Sequence, residues 1–212
     1  LGLSFSIWHR QLPLTALQTA KQQASTILVL IRDDAIEAFI REHLLNTQAH
    51  LVHCSGSLVT DLAYGVHPLM TFNQGQYPLA TYQQLGFVMD DDAPDFAELM
   101  PYLPNQHARL PKAQKTYYHA LCAMAGNFSC LLWQKYLFTL QNDFNIPAAI
   151  TLPYLQQQTH NLMEHAAAAL TGPLVRGDTA TLKNHIKALE GDPFQGVYQQ
   201  FIKTYALIQE KT

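Results

Sequence analysis

Apolar and polar positions follow different patterns in the two halves of the chain. In the first half, short apolar runs of strand length alternate with segments of helical period. The predicted strands are 3–8, 26–31, 50–54, 65–72 and 85–89, and the predicted helices are 14–24, 35–44 and 96–103. Every residue from 26 to 31 is β-branched or Leu, which is typical of a strand buried on both faces of a parallel sheet. Asp33 and Asp34 follow it, where the cap and first turn of a helix favour acids.

The second half has the apolar spacing of helices throughout. One long helix is predicted from Pro111 to about Asn142, followed by helices at 153–170, 182–189 and 194–208, the third of these four being capped by Asp178 or Thr179. Strand, helix and strand in short succession imply right-handed βαβ crossovers in the first half. We therefore predict an α/β domain with a parallel sheet over residues 1–110 and an all-α, helical bundle domain over residues 111–212.

Composition and charge exclude several classes of protein. The chain has 212 residues, of which 14% are charged, and its formal net charge is −3. A general electrostatic nucleic-acid binder needs a basic face or tail, so nucleic acid is not an expected partner. No apolar stretch is long enough to span a bilayer, so no membrane is expected either. Three scattered cysteines fit reduced thiols in a cytoplasmic protein.

The long helix also predicts an oligomer. Two apolar rows run along its residues 117–138, and together they cover more of the circumference than three partner helices easily bury. Uncovered apolar surface of that size usually marks an interface. Closed twofold association is the commonest outcome, so we expect a homodimer formed through the helical domain.

The turn at Cys54–Ser57 is the first candidate for chemistry. It follows a predicted inner strand of a parallel sheet, and ligands of open α/β sheets bind beyond the carboxyl ends of strands. Ser55 and Gly56 are small enough to let a flat ring or a phosphate approach the backbone, although an ordinary strand-to-loop turn would look the same. No metal site is expected, because His50 and His53 point to opposite faces of a strand.

Polar residues on an otherwise apolar helix supply the second candidate. Lys115, His119, Gly126 and Ser129 share a narrow sector of the long helix, and Asn127 lies about 80° from His119. One interpretation is a helix that faces a cleft, with Lys115 and His119 as proton donor or substrate clamp. The other is a solvated Lys115 at the helix start with His119 as a satisfied interior group.

Two further positions carry weaker signals. His67 precedes a proline that interrupts a strand, so its imidazole either points into a cleft or bonds locally. Arg176 lies in a connector rich in Gly and Pro, just before a helix N-terminus. That combination can bind an anion, or it can form a rigid connector with a surface Arg.

Four motifs together resemble a known family. HCSGS (53–57), GVHPLMTF (65–72), KTYYHALCAMAGN (115–127) and LTGPLVRGD (170–178) are similar to motifs of Rossmann-like proteins with a C-terminal helical domain of unknown function. That family is in turn similar to pyrroline-5-carboxylate reductase and, more distantly, to 6-phosphogluconate dehydrogenase. The resemblance covers nearly the whole chain and implies an NAD(P)-dependent oxidoreductase.

The resemblance also implies roles for single residues near the cofactor. Arg10 follows the family's second strand, where a cation favours the 2′-phosphate of NADP over NAD. Arg32 stands where the family usually has a proline in its V-P-D-D-A-I motif, and it is a further cofactor-binding candidate. Ser55 and Gly56 would flank the nicotinamide. The family's first strand and G-x-G-x-x-G turn would precede Leu1, and dinucleotide binding is expected to be weak if they are absent from the protein.

The substrate-facing roles complete the expectation. His67, Lys115, His119 and Asn127 would face the nicotinamide across an interdomain cleft and converge near the Cys54–Gly56 turn. Lys115 or His119 would handle the proton, and Asn127 would orient the substrate. His67 and Arg176 would bind a small, anionic carbonyl, imine or hydroxy compound. The alternative is a non-catalytic dimeric binding or scaffold protein that retains a degenerate Rossmann-like fold.

Overall fold

The computed structural model describes residues 4–210 of the chain. Within these residues, five strands form one sheet whose order follows the sequence. They are β1 (Thr26–Val29), β2 (His50–His53), β3 (Tyr64–Pro68), β4 (Phe87–Asp90) and β5 (His107–Leu110). The pairs β1–β2, β2–β3 and β4–β5 are parallel, whereas β3–β4 is antiparallel. The mostly parallel sheet confirms the predicted α/β class, although β4 and β5 run against the first three strands.

Helices precede, connect and follow these strands. The first four are α1 (Leu14–Gln23), α2 (Asp33–Phe39), α3 (Leu79–Gln84) and α4 (Phe96–Leu99). After β5 come α5 (Lys115–Ala123), α6 (Ser129–Asn142), α7 (Ala148–His165), α8 (Thr179–Ala188) and α9 (Phe194–Gln209). Helix α2 continues into a π-helical turn at Ile40–Leu44, and a second π-helical turn at Met124–Phe128 joins α5 to α6. The long helix predicted up to Asn142 is therefore confirmed as one continuous helical segment.

Each face of the sheet has its own apolar cluster. On one face, Phe96 and Leu99 of α4 pack with Val52, Val66 and Met89 from three strands. On the other face, Ile36, Ile40 and Leu44 pack with Val29 of β1 and Leu17 of α1. Their spacing of four residues along α2 and its π-helical turn puts them on one side of the helix. The second cluster lies at β1 and β2. On the same face, α5 contacts β3 and β4 through Tyr118 and Lys115.

The strand predicted at residues 3–8 is wrong for the part that the structure describes. Leu3 lies outside the described residues, and residues 4–8 belong to no strand. Phe5 and Ile7 are 77% and 70% exposed, so their alternation buries no face. Trp8 instead packs against Phe39 of α2, with ring centroids 5.7 Å apart. An alternating pattern is a strand signal only where a neighbouring strand is available for pairing.

The environment of β1 also differs from the prediction. The strand ends at Val29, two residues earlier than expected, and it forms an edge of the described sheet. Leu28 and Leu30 are 42% and 65% exposed, whereas Val29 is buried. The expectation of burial on both faces is therefore wrong for these residues. A continuous apolar run shows that a strand tolerates burial, but it does not show which elements cover it.

Several other elements differ from the predictions in their bounds or in their presence. Helix α4 ends at Leu99, well before residue 103, and β5 and α3 were not expected at all. Helix α7 begins at Ala148 behind the cap residue Pro147, so Pro153 lies inside the helix and does not start it. Asp178 caps α8 as predicted, since its carboxylate accepts a hydrogen bond from the Thr181 amide.

Backbone contacts divide the chain into two compact units, the first ending at Trp133 and the second beginning at Gln134. The sheet ends with Leu110, but α5 and the first turn of α6 belong to the same unit as the sheet. The division at 110/111 stays a prediction. In the second unit, only Thr151, Ala169 and Leu182 are buried among residues 134–210.

No helix within residues 4–210 is both long enough and apolar enough to cross a bilayer.

Candidate functional site

The strand register places a polar row on one face of the sheet. His53 of β2 is paired with Gly65 of β3, and His67 lies two residues further along β3 on the same side. The antiparallel register of β3 and β4 places Asp90 beside Gly65. Matched positions on neighbouring strands point to the same face, and alternate residues of a strand share a face. His53, His67 and Asp90 therefore face the side that α5 covers.

Lys115, the first residue of α5, is buried against Asp90. Its Nζ lies 2.7 Å from Oδ1 of Asp90, and the two side chains are only 5% and 2% exposed. The distance between the two atoms suits a hydrogen bond, but the angle does not. The contact is therefore an ion pair without a hydrogen bond. Oδ2 of Asp90 accepts a hydrogen bond of 2.7 Å from the amide of Gly65. A Cβ at Gly65 would collide with Lys115 Nζ, so this close packing requires glycine.

His53 is fully buried at the carboxyl end of β2. Its Nδ1 accepts a hydrogen bond from the Ser55 amide at 3.2 Å, which leaves the ring proton on Nε2. Nε2 has no hydrogen-bond partner among the described residues. Burial, followed by the charge of Lys115, lowers the pKa of His53 to about 4. His53 is therefore a neutral interior group at neutral pH.

The turn after β2 is hydrogen-bonded to the first residue of α2. Ser55 Oγ donates a hydrogen bond of 2.5 Å to Oδ2 of Asp33. The same oxygen accepts one of 2.9 Å from the amide of Leu58. Ser55 is buried. Burial of the neighbouring Cys54 raises the pKa of its thiol to about 11, so this thiol is not ionised at neutral pH. These bonds hold the Cys54–Ser57 turn in a fixed position at the sheet edge.

Gly56 lies directly against two imidazoles. A Cβ at Gly56 would stand 2.5 Å from Cδ2 of His119 and 3.1 Å from Nε2 of His67. The rings of His67 and His119 meet edge to face with centroids 5.7 Å apart. Any side chain at Gly56 would have to displace one of the rings, so the glycine allows this close approach.

A tyrosine completes the contacts of His67. The Tyr118 hydroxyl lies 2.8 Å from Nδ1 of His67, and their rings also meet edge to face. Burial, then the charges of His119 and Lys115, lower the pKa of His67, whereas Asp33 opposes them. Burial, followed by a hydrogen bond with the Cys122 thiol, raises the pKa of Tyr118. At neutral pH the structure thus favours an uncharged imidazole beside an un-ionised phenol.

The space enclosed by the cluster is small. A cavity of about 10 Å³ is bordered by Gly56, His67, Asp90, Lys115 and Tyr118. That volume is comparable to the space that one water molecule needs, whereas sites for small organic ligands measure about 300–1,000 Å³. Since both His67 and His119 are partly exposed, a ligand would contact them from the solvent side and not from inside the cluster.

The structure thus brings together five of the residues that the sequence singled out. Gly56, His67, Lys115 and His119 meet at the carboxyl end of β2, and Ser55 holds the turn beside them. Sequence alone placed Lys115 and His119 on one helical face, and it placed the turn at the sheet edge. Their roles in binding or catalysis stay predictions.

Three other predicted residues of the first unit are not joined to this cluster, and Arg176 belongs to the second unit. Asn127 is exposed on the π-helical turn, and Arg176 is exposed in the second compact unit, in the connector that precedes α8. Arg10 is exposed in the turn before α1. Arg32 is also exposed, and its guanidinium pairs with Asp34 at 2.6 Å. Among the described residues, the side chains of Asn127, Arg10 and Arg32 form no hydrogen bond to the cluster.

Sequence analysis missed four members of the site. Asp90 pairs with Lys115, Tyr118 bonds to His67, His53 is buried beneath the turn, and Asp33 binds Ser55. Tyr118 was detectable in principle, because it is adjacent to His119 and three residues from Lys115 on a helix. Asp90 was not detectable from the sequence, because its position beside Lys115 depends on the antiparallel pairing of β4 with β3.

Comparisons with solved structures show the same fold. The chain is similar to a Bacteroides fragilis protein named "putative NADP oxidoreductase BF3122", with a TM-score of 0.71 and 20% identity over 86% of this chain and 75% of the other. It is also similar to protein TM1727 of Thermotoga maritima, with a TM-score of 0.65 and 21% identity over 90% and 80% of the two chains. Identities this low show a shared Rossmann-like fold and no more.

Sequence comparison gives the family without an activity. No curated protein matches the chain. Residues 90–209, more than half of the chain, match the model of a family described as "Domain of unknown function (DUF2520)". The match begins at Asp90, includes Lys115, Tyr118 and His119, and ends with α9. The chain therefore belongs to the DUF2520 family.

Proposed function

We propose that this protein is an NADP(H)-dependent oxidoreductase that transfers a hydride to or from a small, anionic carbonyl, imine or hydroxy compound. The observation that carries the proposal is the meeting of Gly56, His67 and His119 at the carboxyl end of β2. This is the edge at which open α/β sheets bind their ligands. The name of the Bacteroides fragilis relative supports the same cofactor. A kinship with pyrroline-5-carboxylate reductase and 6-phosphogluconate dehydrogenase is part of the proposal.

The described residues fit the reactive end of a nicotinamide nucleotide better than they fit its phosphates. The two partly exposed imidazoles beside the Gly56 backbone offer hydrogen-bonding groups to a substrate at the sheet edge. By contrast, the N-terminus of α2 carries Asp33 and Asp34 in its first turn, and these carboxylates disfavour a pyrophosphate there. In the proposal, Arg10 and Arg32 supply cationic contacts for the 2′-phosphate and the rest of the cofactor. When bound, NADP(H) supplies the hydride.

Burial divides the proposed roles of Lys115 and His119. His119 is partly exposed and is the better candidate for moving a proton to or from the substrate oxygen or nitrogen. Lys115 is almost wholly buried, and its charge is engaged by Asp90. In the proposal it acts through its charge, which helps to lower the pKa of His53 and of His67, and through the position it gives to α5. Asn127 and Arg176 stay candidates for orienting and binding the substrate.

A melting-shift measurement tests the proposed function. NADPH, NADP, NADH and NAD are added separately to the purified protein, and the midpoint of thermal unfolding is recorded for each. A nucleotide that binds only the folded state stabilises it by about 2.7 kcal/mol at one hundred times its Kd. The proposal expects the largest shift with a phosphorylated cofactor. A larger shift with NADH than with NADPH would contradict the cofactor preference, and no shift with any nucleotide would contradict the cofactor itself.

The small cavity favours one alternative, a binding or scaffold protein without catalysis. A volume of about 10 Å³ among the cluster residues accommodates no substrate in the described arrangement. On this alternative, the Lys115–Asp90 pair and the imidazoles only stabilise the packing of α5 on the sheet. Failure of all four nucleotides to bind would favour it.

We also propose that the protein forms a homodimer through the predicted helical domain, residues 111–212. Large apolar side chains there are exposed, among them Phe144, Ile150, Leu162, Met163 and Phe201. A second copy of the chain would cover such a surface by the commonest symmetry. Light scattering should give twice the mass of one chain, and a monomer at micromolar concentration would contradict the dimer. A cytoplasmic location belongs to the same proposal and rests on the three free cysteines.

A further inference from the structure

Tyr118 and its neighbour Tyr117 have opposite environments on α5. Tyr117 is 71% exposed, whereas Tyr118 is partly buried with its hydroxyl 2.8 Å from Nδ1 of His67. The contact joins the first turn of α5 to the end of β3, 51 positions away in the sequence. It involves only one nitrogen of His67, because Nε2 is on the side of Gly56.

We propose that Tyr118 is a positioning residue whose hydroxyl donates to Nδ1 of His67 and so keeps the proton of the neutral imidazole on Nε2. His67 then presents an N–H group toward the Gly56 turn. This inference rests on the proposed function and refines it, because it assigns to His67 the recognition of an acceptor oxygen. A carbonyl or carboxylate oxygen of the substrate fits that N–H, whereas an ammonium group does not.

The direction of the hydrogen bond follows from the strengths of the two groups as donor and acceptor. A neutral imidazole has one ring proton, so one nitrogen donates and the other accepts. The phenol also has one proton, and a phenol hydroxyl is a better donor than acceptor, whereas a bare imidazole nitrogen is a strong acceptor. A hydrogen bond of 2.8 Å from the Tyr118 hydroxyl to Nδ1 of His67 therefore pairs the better donor with the better acceptor.

The surroundings of His67 keep it uncharged. Tyr118, His119 and Lys115 face it from α5, and Asp33 faces it from the start of α2. Burial and the two basic neighbours outweigh Asp33, so the pKa of His67 lies below the usual value for histidine. His67 is therefore a neutral hydrogen-bond donor in the pH range just below the pKa of a free histidine, where a free imidazole gains a proton.

Nitrogen NMR of the histidine rings tests this directly. The protein is labelled with ¹⁵N-histidine, and the His67 signals are identified by their loss in His67→Gln. In the unaltered protein we expect a proton-bearing Nε2 and a bare, hydrogen-bonded Nδ1, with a tautomer ratio of about 10 to 1, the preference that one hydrogen bond gives. In Tyr118→Phe the ratio should fall severalfold and the Nδ1 shift should move, whereas Tyr117→Phe should change neither.

Two results would overturn the inference. One is a proton on Nδ1 of His67 in the unaltered protein, and this spectrum decides the matter even if Tyr118→Phe does not fold. The other is an unchanged His67 spectrum in a folded Tyr118→Phe variant. Neither measurement uses a nucleotide or a substrate. Failure of the proposed function would therefore appear in the melting shifts, while the tautomer of His67 would still be decided here.

Discussion

Lys115 and Asp90 form a buried ion pair, with Nζ and Oδ1 2.7 Å apart and both side chains at most 5% exposed. The pair links the first residue of α5 to the last residue of β4, on the face that carries His67. It therefore decides where α5, and with it Tyr118 and His119, lies on the sheet. A buried pair of this kind is costly to break from one side, because the remaining charge has no counter-ion.

Removing the Lys115 charge should consequently destabilise the fold. We expect Lys115→Met, which keeps most of the apolar stem, to lower the free energy of unfolding by about 3–5 kcal/mol. Lys183→Met, at an exposed position of α8, should change it by no more than about 0.5 kcal/mol. Urea unfolding of both variants makes the measurement. Equal effects of the two substitutions would show that the ion pair does not hold α5.

The close approach of Gly56 and His119 gives a second prediction. A Cβ at residue 56 would stand 2.5 Å from the His119 ring, so Gly56→Ala should cost about 1–3 kcal/mol of stability, the usual range for overpacking. In a protein that already carries His119→Ala, the same change should cost less than half as much. Gly86→Ala, which introduces no contact within 4 Å, is the matched control. Additive effects of the two substitutions would contradict the contact.

Buried His53 predicts how stability depends on pH. Its pKa is about 4 in the folded protein because burial disfavours the charged ring, against 6.5 when exposed. Below pH 6.5 the unfolded chain binds a proton that the folded protein does not, so stability falls as the pH is lowered toward 4. The loss from this group amounts to about 3 kcal/mol over that window. His67 shifts in the same direction and adds to the loss.

The variant His53→Asn isolates that contribution. Asparagine offers an oxygen to the Ser55 amide in place of Nδ1 but does not titrate. Urea unfolding between pH 8 and pH 4 should therefore show a flatter pH dependence in His53→Asn than in the unaltered protein. The exposed His160→Gln should leave the dependence unchanged. Parallel curves for His53→Asn and the unaltered protein would mean that His53 is not the buried, neutral group described here.

Sequence patterns predicted the parts of the site that depend on one element at a time. Lys115 and His119 are four residues apart, so helical geometry alone puts them on one face. The Cys54–Ser57 turn follows a strand whose composition is clear, and the topology rule for open sheets places it at the ligand-binding edge. The helices of the second half were likewise predicted, since their apolar spacing is regular over many turns.

The rest depended on relations between elements that the sequence does not display. Asp90 meets Lys115 only because β4 runs antiparallel to β3, and the five residues of β3 would fit either direction. Tyr117 and Tyr118 are identical in type, and only the packing of α5 decides which of them contacts His67. The apolar alternation of Phe5 and Ile7 predicted a strand, yet residues 4–8 form none and both side chains are exposed.

If His119 moves the proton, its replacement should affect turnover far more than folding. Once a substrate is found, His119→Gln should lower kcat by about 100-fold or more, the usual contribution of a general acid or base. His119 is partly exposed, so the melting temperature should change little. His160→Gln, on α7 of the other unit, should leave kcat unaltered. A kcat within about twofold of the unaltered enzyme would exclude His119 from the proton transfer.

The central claim is that the edge formed by Gly56, His67 and His119 receives the reactive end of a nicotinamide nucleotide. It is tested most directly by titrating NADPH into the ¹⁵N-histidine-labelled protein, with His67→Gln and His119→Gln used to identify the two signals. We predict that both signals shift along one saturating curve while the signal of His160 stays in place. Binding that moves neither His67 nor His119, or no binding up to about 1 mM, would contradict the claim.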